Sequence, residues 1–189
     1  MADSVRLSFW LRGFTEHNML SLYERVLRRF PYSRLAPAGM LRIFALDYSE
    51  PPVLEEEFDD AANTSAILSI IREHFHNDCA FQLDCCWDLW HYGEDWSLKP
   101  CAVSLAIFGP FFESPWGEQV QIDLGLDFLY LPSPGVPPNP RALRSNIRSV
   151  LHLAEDMQRI LPVDKRALWS ESGENLAERL QEAVEEEGD

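Results

Sequence analysis

Apolar and polar residues alternate along five stretches of the chain with a period of two, the pattern of a strand buried on one side. In the first stretch, Val5, Leu7 and Phe9 alternate with Arg6 and Ser8. Each stretch therefore predicts a β-strand with one apolar and one polar side. The five predicted strands span residues 5–14, 40–48, 79–87, 101–108 and 119–131.

Other stretches repeat their apolar residues every three or four positions, which predicts helices with one buried side. The first helix follows Thr15, and the second is capped by Asp59 or Asp60. The third begins at the pair Asn139-Pro140, a favourable combination for the N-cap and the first turn. A fourth lies beyond residue 164 and ends in the acidic tail EAVEEEGD. The apolar positions of this fourth helix are Leu176, Leu180 and Ala183.

The order of these elements is β-α-β-α-β-β-β-α-α, with an acidic, proline-containing connection over residues 50–60. This order predicts an α+β fold: a largely antiparallel sheet of about five strands with helices packed on one face. We expect a single domain over residues 1–163. Residues 164–189 are expected to form a C-terminal helical appendage with an acidic tail.

The chain has 189 residues and a net charge of −15, and most of the excess acidity lies in its middle. Residues 51–130 contain fifteen acidic and two basic residues, which argues against a nucleic-acid partner because phosphate binding needs clustered cations. Both solubility and attraction to a basic protein explain the acidity. No apolar run reaches the roughly 20 residues of a membrane span. These features and the four cysteines favour a soluble, reduced, cytoplasmic protein without a membrane partner.

The densest group of chemically versatile residues is CAFQLDCCWDLWHYGEDW, residues 79–96. Cys85 and Cys86 are adjacent in a predicted strand and point to opposite faces, and Cys79 lies about 20 Å from Cys85. These cysteines cannot converge on one metal ion, so we predict neither a metal site nor a cofactor. The chain also has no GxSxG, P-loop, GxGxxG or HExxH motif, which favours a role other than catalysis.

Aromatic residues are concentrated in two predicted turns, and we take them as candidate partner-binding residues. The first turn follows the third strand, and its aromatics either close that end of the core against the PSPGVPP segment or bind a partner. The second turn, GPFFESPWG, either exposes an apolar patch or folds its aromatics into the core. The candidates are Trp90, His91, Tyr92, Trp96, Phe111, Phe112 and Trp116.

The polar sides of the strands form an open sheet face, which is an alternative site for a ligand. In a simple meander, Asp84 lies two strands from Asp123, about 10 Å away at the usual strand spacing. Trp10 and Arg12 would hold an anion or a ring, and Asp84, Asp123 and Asp127 would hold a cation or polar groups. An open antiparallel face also commonly meets only water.

Three functions fit these patterns. The first is an acidic protein-binding module of the adaptor, inhibitor or immunity type, which acts through its acidic surface and aromatic loops. The second is an enzyme or small-ligand binder that uses the polar sheet face. The third is a structural protein that associates with copies of itself, for example as a homodimer.

Overall fold

In the computed structural model, which describes residues 3–133, 135–170, 176 and 180, the chain forms a seven-stranded antiparallel sheet with three helices. The predicted α+β fold is confirmed. The strands are β1 (Ser4–Leu11), β2 (Gly39–Ala45), β3 (Leu54–Phe58), β4 (Cys79–Tyr92), β5 (Trp96–Phe108), β6 (Val120–Leu126) and β7 (Val163–Ser170). The helices are α1 (Glu16–Arg29), α2 (Thr64–Glu73) and α3 (Pro140–Ile160). The sheet order is β3-β2-β4-β5-β6-β1-β7.

The predicted number of five strands was wrong because both edge strands were missed. β3 lies within the stretch predicted as an acidic connection, and β7 lies within the stretch predicted as a helical appendage. β3 carries three consecutive glutamates, so it shows no alternation; its backbone pairs with β2, and Arg42 forms an ion pair with Glu55 across the two strands. β7 pairs along its length with β1.

The helix starts were predicted with mixed success. Asn139 caps α3 as expected, because its side-chain oxygen accepts a hydrogen bond from the Ala142 amide at 3.1 Å and Pro140 follows it. The cap of α2 is Asn63, which accepts from the Ala66 amide at 3.3 Å, and not Asp59 or Asp60. Of the predicted fourth helix, Leu176 and Leu180 are helical and fully buried in the core; Ala183 and the acidic tail lie outside the described residues.

One face of the sheet is buried against the apolar sides of the helices and forms the main core. Tyr23 of α1 donates a hydrogen bond to the Leu105 carbonyl of β5 at 2.7 Å, which fixes the helix over the sheet centre. Cys79 and Cys85 belong to this core, as the alternation of β4 indicates. No helix in the described part of the chain is long and apolar enough to cross a membrane.

The other face of the sheet is open, and its side chains form rows across the strands. One row joins six strands through directly paired positions, so residues distant in sequence become neighbours. This row confirms that Asp84 lies two strands from Asp123 in a meander. Its members are Met40, Asp84, Ser104, Asp123, Arg6 and Trp169.

Candidate functional site

The two aspartates in this row are each held by an arginine. Arg42 forms an ion pair with Asp84, and the Arg6 Nε lies 3.4 Å from an Asp123 carboxylate oxygen. Asp123 also accepts hydrogen bonds from the Ser4 hydroxyl at 2.7 Å and from the backbone. Both carboxylates are therefore engaged by groups of the protein itself, and these contacts hold the side chains of the open face in place.

Three of the six tryptophans meet at one side of the open face, where β1 and β7 pair. Trp10 comes from β1, Trp169 from β7, and Trp116 from the connection between β5 and β6. The rings of Trp116 and Trp169 are 5.3 Å apart and meet edge to face. With Arg6 and Lys165 they line a cavity of about 630 Å³. We call these five residues the tryptophan cluster.

Cation–π contacts and a hydrogen bond hold the Trp169 and Trp10 rings of the tryptophan cluster in place. The Arg6 guanidinium lies 5.3 Å from the Trp169 ring centre, and the Lys165 ammonium lies 4.4 Å from the Trp10 ring centre. The Trp169 indole N–H donates a hydrogen bond to the Ser8 hydroxyl at 3.1 Å. Trp116 rests on this base and leaves 61% of its surface exposed. The cluster therefore presents a large, positioned aromatic ring to solvent.

A buried glutamate holds the segment that carries Trp116. Glu118 is only 1% exposed, and its carboxylate accepts hydrogen bonds from the Trp116 backbone amide at 3.0 Å and from the Gln121 side chain at 2.8 Å. Burial raises the pKa of Glu118 above its ordinary value, although the bonds from backbone amides and the charge of Arg6 oppose this shift.

The raised pKa of Glu118 predicts a pH-dependent contribution to stability. At pH values between about 4.5 and the raised pKa, the native state binds more protons than the unfolded state, so this group lowers the free energy of unfolding as pH rises. Relative to the Glu118→Gln variant, the native chain should be more stable at pH 4 than at pH 7. Chemical denaturation of both proteins at the two pH values measures this difference. If the stability of the native chain relative to Glu118→Gln is the same at both pH values, or is greater at pH 7, the pKa of Glu118 is not raised in the folded protein.

The first group of aromatic candidates lies at the tip of the β4–β5 hairpin. The hairpin is longer than predicted, so Trp90, His91 and Tyr92 belong to β4 and Trp96 begins β5. The Trp96 indole N–H donates to the Pro137 carbonyl at 2.9 Å, so this ring packs on the proline-rich segment. Its partner across the hairpin is Tyr92, with the ring centres 5.9 Å apart.

His91 lies on the opposite side of its strand from Trp90 and Tyr92 and packs edge to face on Phe128 at 5.6 Å. Desolvation and the nearby Lys99 lower its pKa. This environment favours the neutral imidazole.

The second group of aromatic candidates is divided by the fold. Phe112 is buried, with its ring 5.6 Å from Phe108 and 5.3 Å from Tyr48, in a small apolar cluster at one end of the open face. Phe111 is 68% exposed at the edge of that cluster. Only Trp116 joins the tryptophan cluster.

Two residues predicted for the polar sheet face do not lie on it. Arg12 follows the end of β1 in a turn, where its backbone amide donates to the Pro162 carbonyl. Asp127 begins a short 3-10 helix, because β6 ends at Leu126, just past Gly125, which has a φ of +81°. The remaining three, Trp10, Asp84 and Asp123, do lie on this face.

In the sequence, Trp10 and Trp116 belong to separate candidate sites, and Trp169, Arg6 and Lys165 were not predicted as site residues. Trp169 and Lys165 were missed because their strand was assigned to a helix. The stretch VDKRALWS shows no clear alternation, because three charged residues follow one another from Asp164 to Arg166, and its pairing with β1 is what makes it a strand.

The described residues contain no group of three or more His, Cys, Asp or Glu side chains that could hold a metal ion. The cysteines among them are all free, and burial raises the pKa of Cys85 to about 12. This thiol is therefore protonated at neutral pH and unsuited to nucleophilic chemistry.

Comparison of the chain with protein-family models, with curated proteins and with solved structures found no match. Among the described residues, the tryptophan cluster is the most distinctive arrangement of side chains on the surface.

Proposed function

We propose that this protein is a protein-binding module and that its tryptophan cluster docks a basic partner protein. The observation that carries the proposal is the exposure of Trp116, a large aromatic ring that packs on Trp169 instead of being buried. Trp169 in turn is held by the Arg6 guanidinium. Tryptophan and arginine are the residues most enriched among those that dominate binding energy at protein interfaces. Adaptor, inhibitor and immunity roles all use such a surface.

The charge of the chain supports a basic partner. The net charge of −15 attracts a cationic protein over distances longer than the contacts themselves, and it accelerates the encounter at low salt. Within the cluster, the charge of Arg6 is balanced by Asp123 and the Lys165 ammonium packs on the Trp10 ring, so the attraction comes from the acidic residues outside the cluster. The acidic edge strand β3, with Glu55, Glu56 and Glu57, adds negative charge at the far edge of the same sheet. In this proposal the tryptophans supply affinity and the acidic residues supply attraction and orientation.

The cavity beside the cluster favours a second candidate function. A space of about 630 Å³ between Trp10, Trp116 and Trp169 is within the size range of small-molecule sites. A ligand with a flat ring would stack there between aromatic side chains and cations. This candidate keeps the alternative of a small-ligand binder on the open face, and it predicts saturable changes in tryptophan fluorescence with a small molecule and without a protein partner.

The proposal is tested with two matched variants, Trp116→Ser and Val53→Ser. Both residues are exposed, at 61% and 65%, but Val53 adjoins β3 at the opposite edge of the sheet. A partner is captured from the lysate of the native host, identified, purified and titrated against each variant. The Trp116→Ser variant should bind the purified partner about 30-fold more weakly than the native chain, or worse. Val53→Ser should bind as the native chain does, and added salt should weaken all three complexes.

The control for this experiment is the cooperative unfolding of each variant, which should match the native chain because both side chains are exposed. Equal affinity of the two variants for the purified partner would contradict the proposal. Sedimentation of the native chain alone distinguishes self-association: a dimer that Trp116→Ser dissociates would assign the cluster to a homo-oligomer instead.

A further inference from the structure

A groove rich in arginine lies on the helix side of the sheet, whereas the tryptophan cluster lies on the open face. The groove has a volume of about 770 Å³ and is bounded by α3, by the end of α1 and by Trp87 of β4. We call it the arginine groove. Its charged and titratable lining residues are Arg29, Arg141, Arg144, Arg148, His152 and Asp156.

The arginine groove reverses the charge of the protein locally. The chain has sixteen basic and thirty-one acidic residues, yet four arginines line this groove with a single aspartate. The groove is therefore a positive region on a strongly acidic protein, which attracts anions that the remaining surface repels.

The position of these arginines does not help α3 to fold. Arg141, Arg144 and Arg148 are spaced three and four residues apart, so their like charges lie on one side of the helix and repel each other. The first turn of α3 contains no acidic residue, and cations near a helix start oppose the helix dipole. A bound anion would relieve both effects, so the arrangement favours ligand binding over a purely structural role.

The groove combines the fixed guanidinium of Arg29 with those of Arg141 and Arg148, which are available to a ligand. Asp156 holds Arg29 through hydrogen bonds of 3.1 and 2.6 Å from the Arg29 Nε and one terminal nitrogen, which places this group at the wall of the groove. Arg141 and Arg148 are exposed and form no ion pair within the described part of the chain. A guanidinium group can donate two parallel hydrogen bonds to two oxygens of one phosphate or carboxylate group.

The dimensions and the surrounding charge select a small ligand. Arg141 and Arg148 are about 10 Å apart along α3 at the usual helical rise. A long polyanion would extend beyond the groove over the acidic surface, at distances comparable to the screening length of about 8 Å. Pro31, Trp87 and Leu153 add an apolar wall. We propose that the arginine groove binds a small organic polyanion with two or more phosphate or carboxylate groups.

This binding site is independent of the proposed protein docking, because it lies on the other side of the sheet. Isothermal titration of the full chain at low ionic strength tests it with three probes: tripolyphosphate, citrate and sulfate. The groove variant is Arg141→Gln/Arg148→Gln. The matched control is Arg12→Gln/Arg72→Gln, which removes the same charge from two exposed arginines that do not line the groove.

We expect saturable binding of tripolyphosphate or citrate with a stoichiometry near one, and much weaker binding of sulfate. The groove variant should bind the tighter-binding probe about tenfold more weakly, or worse, because two charge-assisted hydrogen-bonding groups are lost. The affinity of the control variant for the same probe should differ from that of the native chain by less than about twofold. The preferred probe identifies phosphate or carboxylate as the ligand chemistry. Absence of saturable binding for both, or equal weakening in the two variants, would overturn the proposal.

Discussion

Replacement of Asn146 by leucine should lower the free energy of unfolding by about 4 kcal/mol, because it leaves three backbone groups without their partner. Asn146 lies on α3, is 1% exposed and joins the helix to the sheet. Its side-chain oxygen accepts from the Trp90 amide at 2.9 Å. Its side-chain nitrogen donates to the Trp90 carbonyl at 2.8 Å and to the Leu129 carbonyl at 2.7 Å.

The importance of Asn146 follows from the shape of the sheet. The pairing of β2 with β4 ends at Asp84, so the rest of β4 has no strand neighbour on that side. The Asn146 side chain takes the place of a strand at Trp90, and the Ser33 amide does the same at the Cys86 carbonyl. Each buried group that loses its hydrogen bond costs about 1–3 kcal/mol.

Denaturant unfolding of the Asn146→Leu variant measures this cost. Leucine has a higher helix propensity than asparagine, so a loss of stability cannot come from α3 itself. Ser145→Ala, next to it on the exposed side of the helix, serves as control and should change stability by less than about 0.5 kcal/mol. A loss below about 1 kcal/mol for Asn146→Leu would show that these hydrogen bonds are replaced by water.

Truncation of the chain after residue 163, the boundary predicted from the sequence, should abolish cooperative folding. β7 covers the edge of β1 along its whole length, and Leu176 and Leu180 are fully buried in the core. Each buried leucine side chain contributes roughly 2 kcal/mol, and the exposed β1 edge would lose its ladder of hydrogen bonds. Together, the lost leucine burial and the lost strand hydrogen bonds approach the usual free energy of unfolding of a small domain, about 5–15 kcal/mol.

Circular dichroism and thermal unfolding of the truncated chain test this expectation. The point variant Leu180→Ala separates core packing from strand pairing: it should remain folded and lose about 2–4 kcal/mol. The truncated chain should also lose the tryptophan cluster, because Trp169 and Lys165 belong to β7. A truncated protein that unfolds cooperatively near the native temperature would show that residues 1–163 are a complete domain.

The sequence predicts the central part of this fold well and its edges poorly. Alternation identified β1, β2, β4, β5 and β6 because each has one buried and one open side. β3 has no such contrast, and only its pairing with β2 makes it a strand. β7 has three consecutive charged residues and follows the long helix α3, so its local pattern favoured a helix, whereas its pairing with β1 decides its structure.

The length of the β4–β5 hairpin shows a second limit of local pattern. The fourth predicted strand began at Cys101, just after Pro100, and proline lacks the amide hydrogen that a central strand needs. In the structure, the pairing of β5 with β6 begins only at Ser104, so Pro100 lies where β5 has one strand neighbour. The strand continues through it to Trp96, and the predicted loop aromatics become strand residues.

The candidate site could be predicted only in part for the same reason. Trp10 and Trp116 are visible in the sequence as an open-face residue and a loop aromatic, but nothing local joins them. Their meeting depends on β7, which brings Trp169 beside β1 and beneath Trp116. The arginine groove was also missed, because it combines residues of α3 with Arg29 at the end of α1.

The tryptophan cluster is proposed to contact a basic partner protein. The most direct test is site-specific photo-crosslinking in the native host, with an aromatic crosslinker in place of Trp116 and, as control, in place of Val53. We expect one dominant adduct with a basic protein at position 116 and none at position 53. No protein adduct at position 116, or the same adducts at both positions, would contradict it.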